Sequence, residues 1–196
     1  MANADYTCPT CDTCDELDLP IFVFSDCAPV QNESEINYVY VTIDDPANPG
    51  EALGGPADWT LAADWATAID NAGVNTVRRL TVIGDLPEPE QEIRIVSNRR
   101  RIPGKKVFTI NATVDDVSDA NYAAMRALEC YPIVRIWYGN IGGKLYGGQE
   151  GIKASIVKAN APLDRGQNTY ERIEYAFLFE HSCHPERIDQ PIEAEV

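Results

Sequence analysis

Positive charge is missing from the first two-fifths of this 196-residue chain. No lysine or arginine precedes Arg78, while residues 1–77 hold 14 aspartates and glutamates. Residues 78–196 carry 17 acids and all 16 bases, so nearly the whole formal net charge of −15 is stored in one stretch. That balance argues against sequence-independent binding to nucleic-acid phosphates and against docking on an anionic membrane, since both would be repelled. Histidine is scarce as well: only His181 and His184 occur, both in His-Ser-Cys-His-Pro. A Ser-His-Asp or Cys-His site needs its histidine beside a nucleophile in a cleft, and this pair follows the last predicted strand as an exit loop. Long apolar runs are absent. Residues 21–24 are typical of the longest, far short of the roughly 20 needed for a spanning helix. The opening residues have neither a basic n-region nor an apolar h-region, so the expectation is synthesis and residence in a reducing cytoplasm.

Catalytic signatures are missing too. There is no Gly-x-Ser-x-Gly elbow. Gly104-Lys105-Lys106 lacks the preceding glycine and following Ser or Thr of a phosphate-binding loop. Gly139, Gly142, Gly143, Gly147, Gly148 and Gly151 fit no dinucleotide fingerprint and fall between predicted antiparallel strands, where tight hairpin turns account for them. Carboxylates are so plentiful that no pair stands out. The expectation is a protein without catalytic residues and without a cofactor.

The chain is 44% hydrophobic and 24% charged, a globular balance that can bury a core, in one ordinary domain or two small ones. The charge boundary suggests two regions. Residues 1–77 form an acidic part with a cysteine-rich arm, strands and one helix; residues 78–196 form a β-rich part with one helix and an extended tail.

Residues 36–43, rich in β-branched and aromatic side chains, read as a strand. Asp-Asp-Pro, Asn-Pro-Gly and Gly-Gly-Pro mark 44–55 as loop. A helix is predicted over 57–71, with Trp59, Ala62, Ala63, Ala66 and Ile69 at helical spacing, Leu61 and Trp65 widening the stripe and Gly73 ending it. Further strands are predicted at 77–83, 91–97, 106–114, 133–138, 152–158 and 173–179. Phe108, Ile110, Ala112 and Val114 share one face of their strand; Ile173, Tyr175, Phe177 and Phe179 share one face of theirs. Ser118 or Asp119 caps a second helix reaching residue 129, with Tyr122, Met125 and Leu128 as its stripe. Trp59, Trp65 and Trp137 are expected in the core. The class is α+β, mainly β: an antiparallel β-sandwich or open barrel with one or two flanking helices.

Two clusters remain. Cys8, Cys11 and Cys14 stand at Cys-x₂-Cys-x₂-Cys spacing with Cys27 further on, a set that suits a tetrahedral zinc site. Cys183 with His181 or His184 is a second source of ligands. Zinc, disulfides in a released particle and free thiols all remain open, with a small zinc-binding interaction module as the alternative function. Cys130 reads as a buried small hydrophobe. The second cluster is basic: Arg99, Arg100, Arg101, Lys105 and Lys106 surround Pro103-Gly104, which reads as the turn of a hairpin or long loop with a basic tip. In so acidic a chain this tip suits an inter-subunit contact with an acidic patch on a neighbouring copy; an exposed loop without a partner is the plain alternative.

The stretch Lys-Val-Phe-Thr-Ile-Asn-Ala-Thr-Val-Asp-Asp-Val-Ser-Asp-Ala-Asn-Tyr-Ala-Ala-Met-Arg-Ala-Leu-Glu over residues 106–129 gives a strand, an acidic turn and a short helix. Strand, Gly-rich hairpin, strand and strand follow. This order of elements, over about residues 78–182, resembles tail tube proteins of tailed phages and their relatives in contractile injection systems. The resemblance implies a homo-oligomeric ring or tube, a tail tube or head-tail (neck) component, in a virion assembled in the bacterial host cytoplasm. Its partners would be copies of itself and other virion or tail proteins. DNA would pass its acidic surface without specific binding, and no membrane is involved.

Overall fold

The computed structural model describes residues 33–48, 50–70, 77–96, 100–114, 116–131, 133–160, 172–181 and 183–192. Among the described residues nine strands and two helices follow one another: β1 (Glu35–Thr42), α1 (Ala62–Asp70), β2 (Arg78–Asp85), β3 (Glu90–Val96), β4 (Arg100–Val114), α2 (Asp119–Leu128), β5 (Ile133–Asn140), β6 (Lys144–Tyr146), β7 (Ile152–Asn160), β8 (Ile173–His181) and β9 (Arg187–Asp189). All their pairings are antiparallel. The expected class, α+β and mainly β with one or two helices, is what folds; where a sandwich or an open barrel is expected, the strands form a barrel that closes, because β1 and β5 also pair. The barrel is closed: the order β1-β2-β4-β8-β7-β5 returns to its start because β5 also pairs with β1.

Alternation builds the wall. The longest ladder runs from Lys106↔His181 to Val114↔Ile173. It turns Phe108, Ile110, Ala112 and Val114 inward against Phe179, Phe177, Tyr175 and Ile173, and all eight are buried. The Phe108 and Phe179 rings stack at 4.9 Å. β1 keeps this rule only through an irregularity between Ile36 and Tyr38, where the extra residue resets the phase. Ile36, Val39 and Val41 therefore all reach the barrel interior, while Tyr38 and Tyr40 face out. The interior is filled by side chains and is not a pore, as expected of so few strands. Because its wall is closed, a helix can reach that interior only at an end. α2 does so with Met125, helped by half-buried Val117 and Leu128. Ser118 caps it as expected, its hydroxyl accepting the Asn121 N–H. Tyr122 of the expected stripe is instead 43% exposed.

A second apolar layer covers the outside of β1 and β5. Tyr38, Tyr40 and Trp137 pack there against Trp59, Trp65, Ala68, Val77 and Leu145. The three tryptophans are thus core, and Trp65 meets Trp137 edge-on at 5.3 Å. The helix that carries Trp65 starts later than the 57–71 pattern predicts. Asp58 accepts the Thr60 N–H and hydroxyl, a local turn that competes with helix. Its buried side is Trp65 and Ala68, while Ala62, Ala63 and Ala66 are exposed. The predicted glycine stop lies outside the described residues. The Gly-rich segment wraps Trp137: the indole N–H donates to the Gly148 carbonyl at 2.7 Å. A Cβ on Gly147, whose φ is +152°, would fall 2.3 Å from the Trp137 ring. The charge change at residue 78 falls inside this barrel, between β1 and its partner β2.

Two substitutions test the second layer. Trp65→Ala should cost about 3–5 kcal/mol in urea unfolding. The Tyr40 hydroxyl is buried with no hydrogen-bond partner among the described residues, and burial pushes its phenol up to about 12. Tyr40→Phe should therefore hold stability or raise it by about 1 kcal/mol; a loss above that size would contradict the packing.

Candidate assembly interface

The basic cluster sits on a two-stranded arm. β4 leaves its partner β8 beyond Lys106, and its six further residues, 100–105, pair only with β3 among the described residues. At about 3.3 Å per residue the arm projects roughly 20 Å from the barrel. The turn is not at Pro103-Gly104. The strands connect through residues 97–99, and Pro103 lies within β4 opposite Ile93. The register slips between Gln91 and Ile93, and an irregular two-stranded ribbon with free edges tolerates a residue lacking an N–H. The five predicted bases are therefore split. Lys105 and Lys106 stand at the arm's base, Arg100 and Arg101 at its distal end, and Arg99 lies outside the described residues. Arg94, which pairs with Ile102, adds a base to the arm that the sequence pattern did not single out. Ile93 on the same arm is 55% exposed.

Beside the arm's base the wall opens. β2 touches β4 only at Ile83↔Thr113 and Gly84↔Ala112, where a Cβ on Gly84 would fall 2.4 Å from the Asn111 carbonyl oxygen. Between that crossing and the β3 pairing lies a groove of about 560 Å³. Thr109, Asn111 and Thr113 form its floor, Ile83, Leu86 and Pro87 its apolar side, and Glu35, Asp85, Glu88 and Glu90 its rim. All four carboxylates are exposed, and among the described residues no base lines the groove.

A compact charge cluster lies elsewhere and ties down the loop after β1. Asp44 bridges Arg135, 8% exposed, and Lys153 at 2.9 Å. Burial raises the Asp44 carboxyl, but the hydrogen bonds and charge of Arg135 and Lys153 outweigh it and hold the group below its ordinary value of 3.8. Arg135 also donates to the carbonyls of Glu150 and Gly151 at 3.4 Å. Gln149 donates to the Pro56 carbonyl and accepts the Trp59 N–H, joining this loop to the segment around Trp137. These contacts hold the second layer in place.

The candidate zinc ligands Cys8, Cys11, Cys14 and Cys27 lie outside the described residues. Among the described residues no three His, Cys, Asp or Glu side chains converge on a metal position. Cys183 is disulfide-bonded, so in this state its thiolate is not open to a metal together with His181 or His184. His181 folds onto the Cys183 backbone, and His184 meets the Phe108 ring edge-on at 5.5 Å. Cys130 is exposed, against the expectation of burial, because α2 ends at Leu128 and its chain turns outward there.

Two measurements follow from these positions. Removing a charge from Asp44 strands buried Arg135, so Asp44→Asn should cost about 1–3 kcal/mol at neutral pH. A carboxyl held low in the fold stabilises it above the ordinary value and loses that effect as pH falls. The gap between wild type and variant should therefore close as the pH drops below 3.8; a constant gap would show that the charge is not responsible. Alkylation without reductant, read by peptide mass spectrometry, should label Cys130 and spare Cys183, and labelling of both would refute the disulfide.

No protein-family model matches this chain, and no curated protein or solved structure matches it.

Proposed function

We propose that this chain is a non-enzymatic structural protein of a phage or phage-like particle that assembles with copies of itself into a ring or tube, as a tail tube or head-tail component. The observation that carries the reading is the basic hairpin projecting from an otherwise acidic, closed barrel. An arm of this length buries little against its own body, so it gains stability when a second surface covers it. The barrel interior is packed with side chains. A polymer passing such an assembly would therefore run between subunits and not through them. The net charge of −15 keeps such a passage from adsorbing phosphate. The arm bases Arg99, Arg100, Arg101, Lys105 and Lys106 serve as inter-subunit contacts in this reading.

Size-exclusion chromatography with light scattering, combined with negative-stain microscopy, tests it. Rings or tubes should form as concentration rises, and duplex DNA at physiological salt should not be retained. A monomer at every concentration, or DNA held tightly, would overturn the proposal.

A further inference from the structure

We propose that the groove between β2, the 86–90 turn and the outer face of β4 is the socket for the hairpin arm of a second copy, and that the contact runs head to tail. This rests on the self-assembly reading above and names the surface that receives the arm.

Three observations converge on it. The charges are complementary: Glu35, Asp85, Glu88 and Glu90 on the rim make no ion pair among the described residues, and the arm places Arg100 and Arg101 at its far end. The apolar parts match as well, since Ile83 at the groove is 54% exposed and Ile93 on the arm 55%. The groove floor also has unspent backbone: β4 between its pairing with β3, which ends at Val107, and its pairing with β2, which begins at Ala112, has no strand partner on that side.

The arm cannot serve its own groove. Glu90 opens β3 opposite Val107, while Val96 and Arg100 lie at the far end of the same ladder, roughly 20 Å away at about 3.3 Å per residue. A paired two-stranded ribbon cannot fold back over that distance without breaking its hydrogen bonds. Carboxylates of a groove that meets the distal arginines Arg100 and Arg101 would therefore belong to another molecule. Donor and acceptor surfaces are different parts of the subunit, so each copy has one arm to give and one groove to fill. Such a heterologous contact propagates until it closes as a ring or continues as a helix. Single exposed ion pairs are weak; ring closure makes each contact reinforce the others.

Paired charge reversals test this. Arg100→Glu with Arg101→Glu turns the far end of the arm acidic opposite an acidic groove; Asp85→Lys with Glu88→Lys puts two bases in the groove opposite a basic arm end. Each variant alone should need at least about tenfold more protein to assemble than wild type. An equimolar mixture should recover assembly, with the two variants alternating. Circular dichroism melts confirm that each variant is folded, and the neutral pairs Arg100→Gln with Arg101→Gln and Asp85→Asn with Glu88→Gln should show smaller losses in the same order. If wild type assembles and the folded reversals assemble equally well, or the mixture fails to recover, the groove is not the socket while self-assembly stands. If wild type never assembles, the self-assembly reading itself has failed.

Discussion

The pairing of β5 with β1 is the constraint on which the rest depends. It converts a curved antiparallel sheet into a closed barrel, and it places both strands between two apolar layers. Ile36, Val39, Val41, Val134, Ile136 and Tyr138 fill the barrel, while Tyr38, Tyr40 and Trp137 anchor the layer under α1. Without that pairing the barrel would open at its most apolar seam, and the tryptophan cluster would face water on both sides. Double burial explains why these two strands contain so little polar residue, and why Arg135, the charged exception in β5, needs Asp44 and two backbone carbonyls around it.

Closure also decides where interaction surfaces remain. A closed barrel leaves few edges within its wall. Unpaired backbone survives where β2 and β4 diverge and where β3 and β4 run past the barrel, and these two places are adjacent in the chain but displaced in space. The groove carries acids and the arm carries bases. The fold thereby turns a sequence asymmetry into two separated surfaces of opposite charge.

Much of the fold was legible in the residues. Seven strands and the capped second helix were visible because alternation of Phe108, Ile110, Ala112 and Val114, or of Ile173, Tyr175, Phe177 and Phe179, has one physical explanation: a strand wet on one face and dry on the other. β6 and β9 escaped because three-residue strands have too few positions to show a period. The phase of β1 was hidden because one extra residue near Asn37 moves Val39 and Val41 into the barrel with Ile36, against simple alternation. In the candidate site, the basic residues were visible as a cluster but their distribution was not. Pro103-Gly104 looked like a turn because those residues are common in turns, whereas pairing with β3 holds that stretch of β4 extended and the two strands connect through residues 97–99.

The local order of charge, apolar period and capping residues was thus determined by the chain itself, since each depends only on neighbours a few positions away. Three things were decided by tertiary structure alone: the closure through β1 and β5, the opening beside Gly84, and the distance between acidic groove and distal arginines. Each depends on which strands meet across long separations in sequence. That choice is made by burial of two faces at once, and no local pattern encodes it.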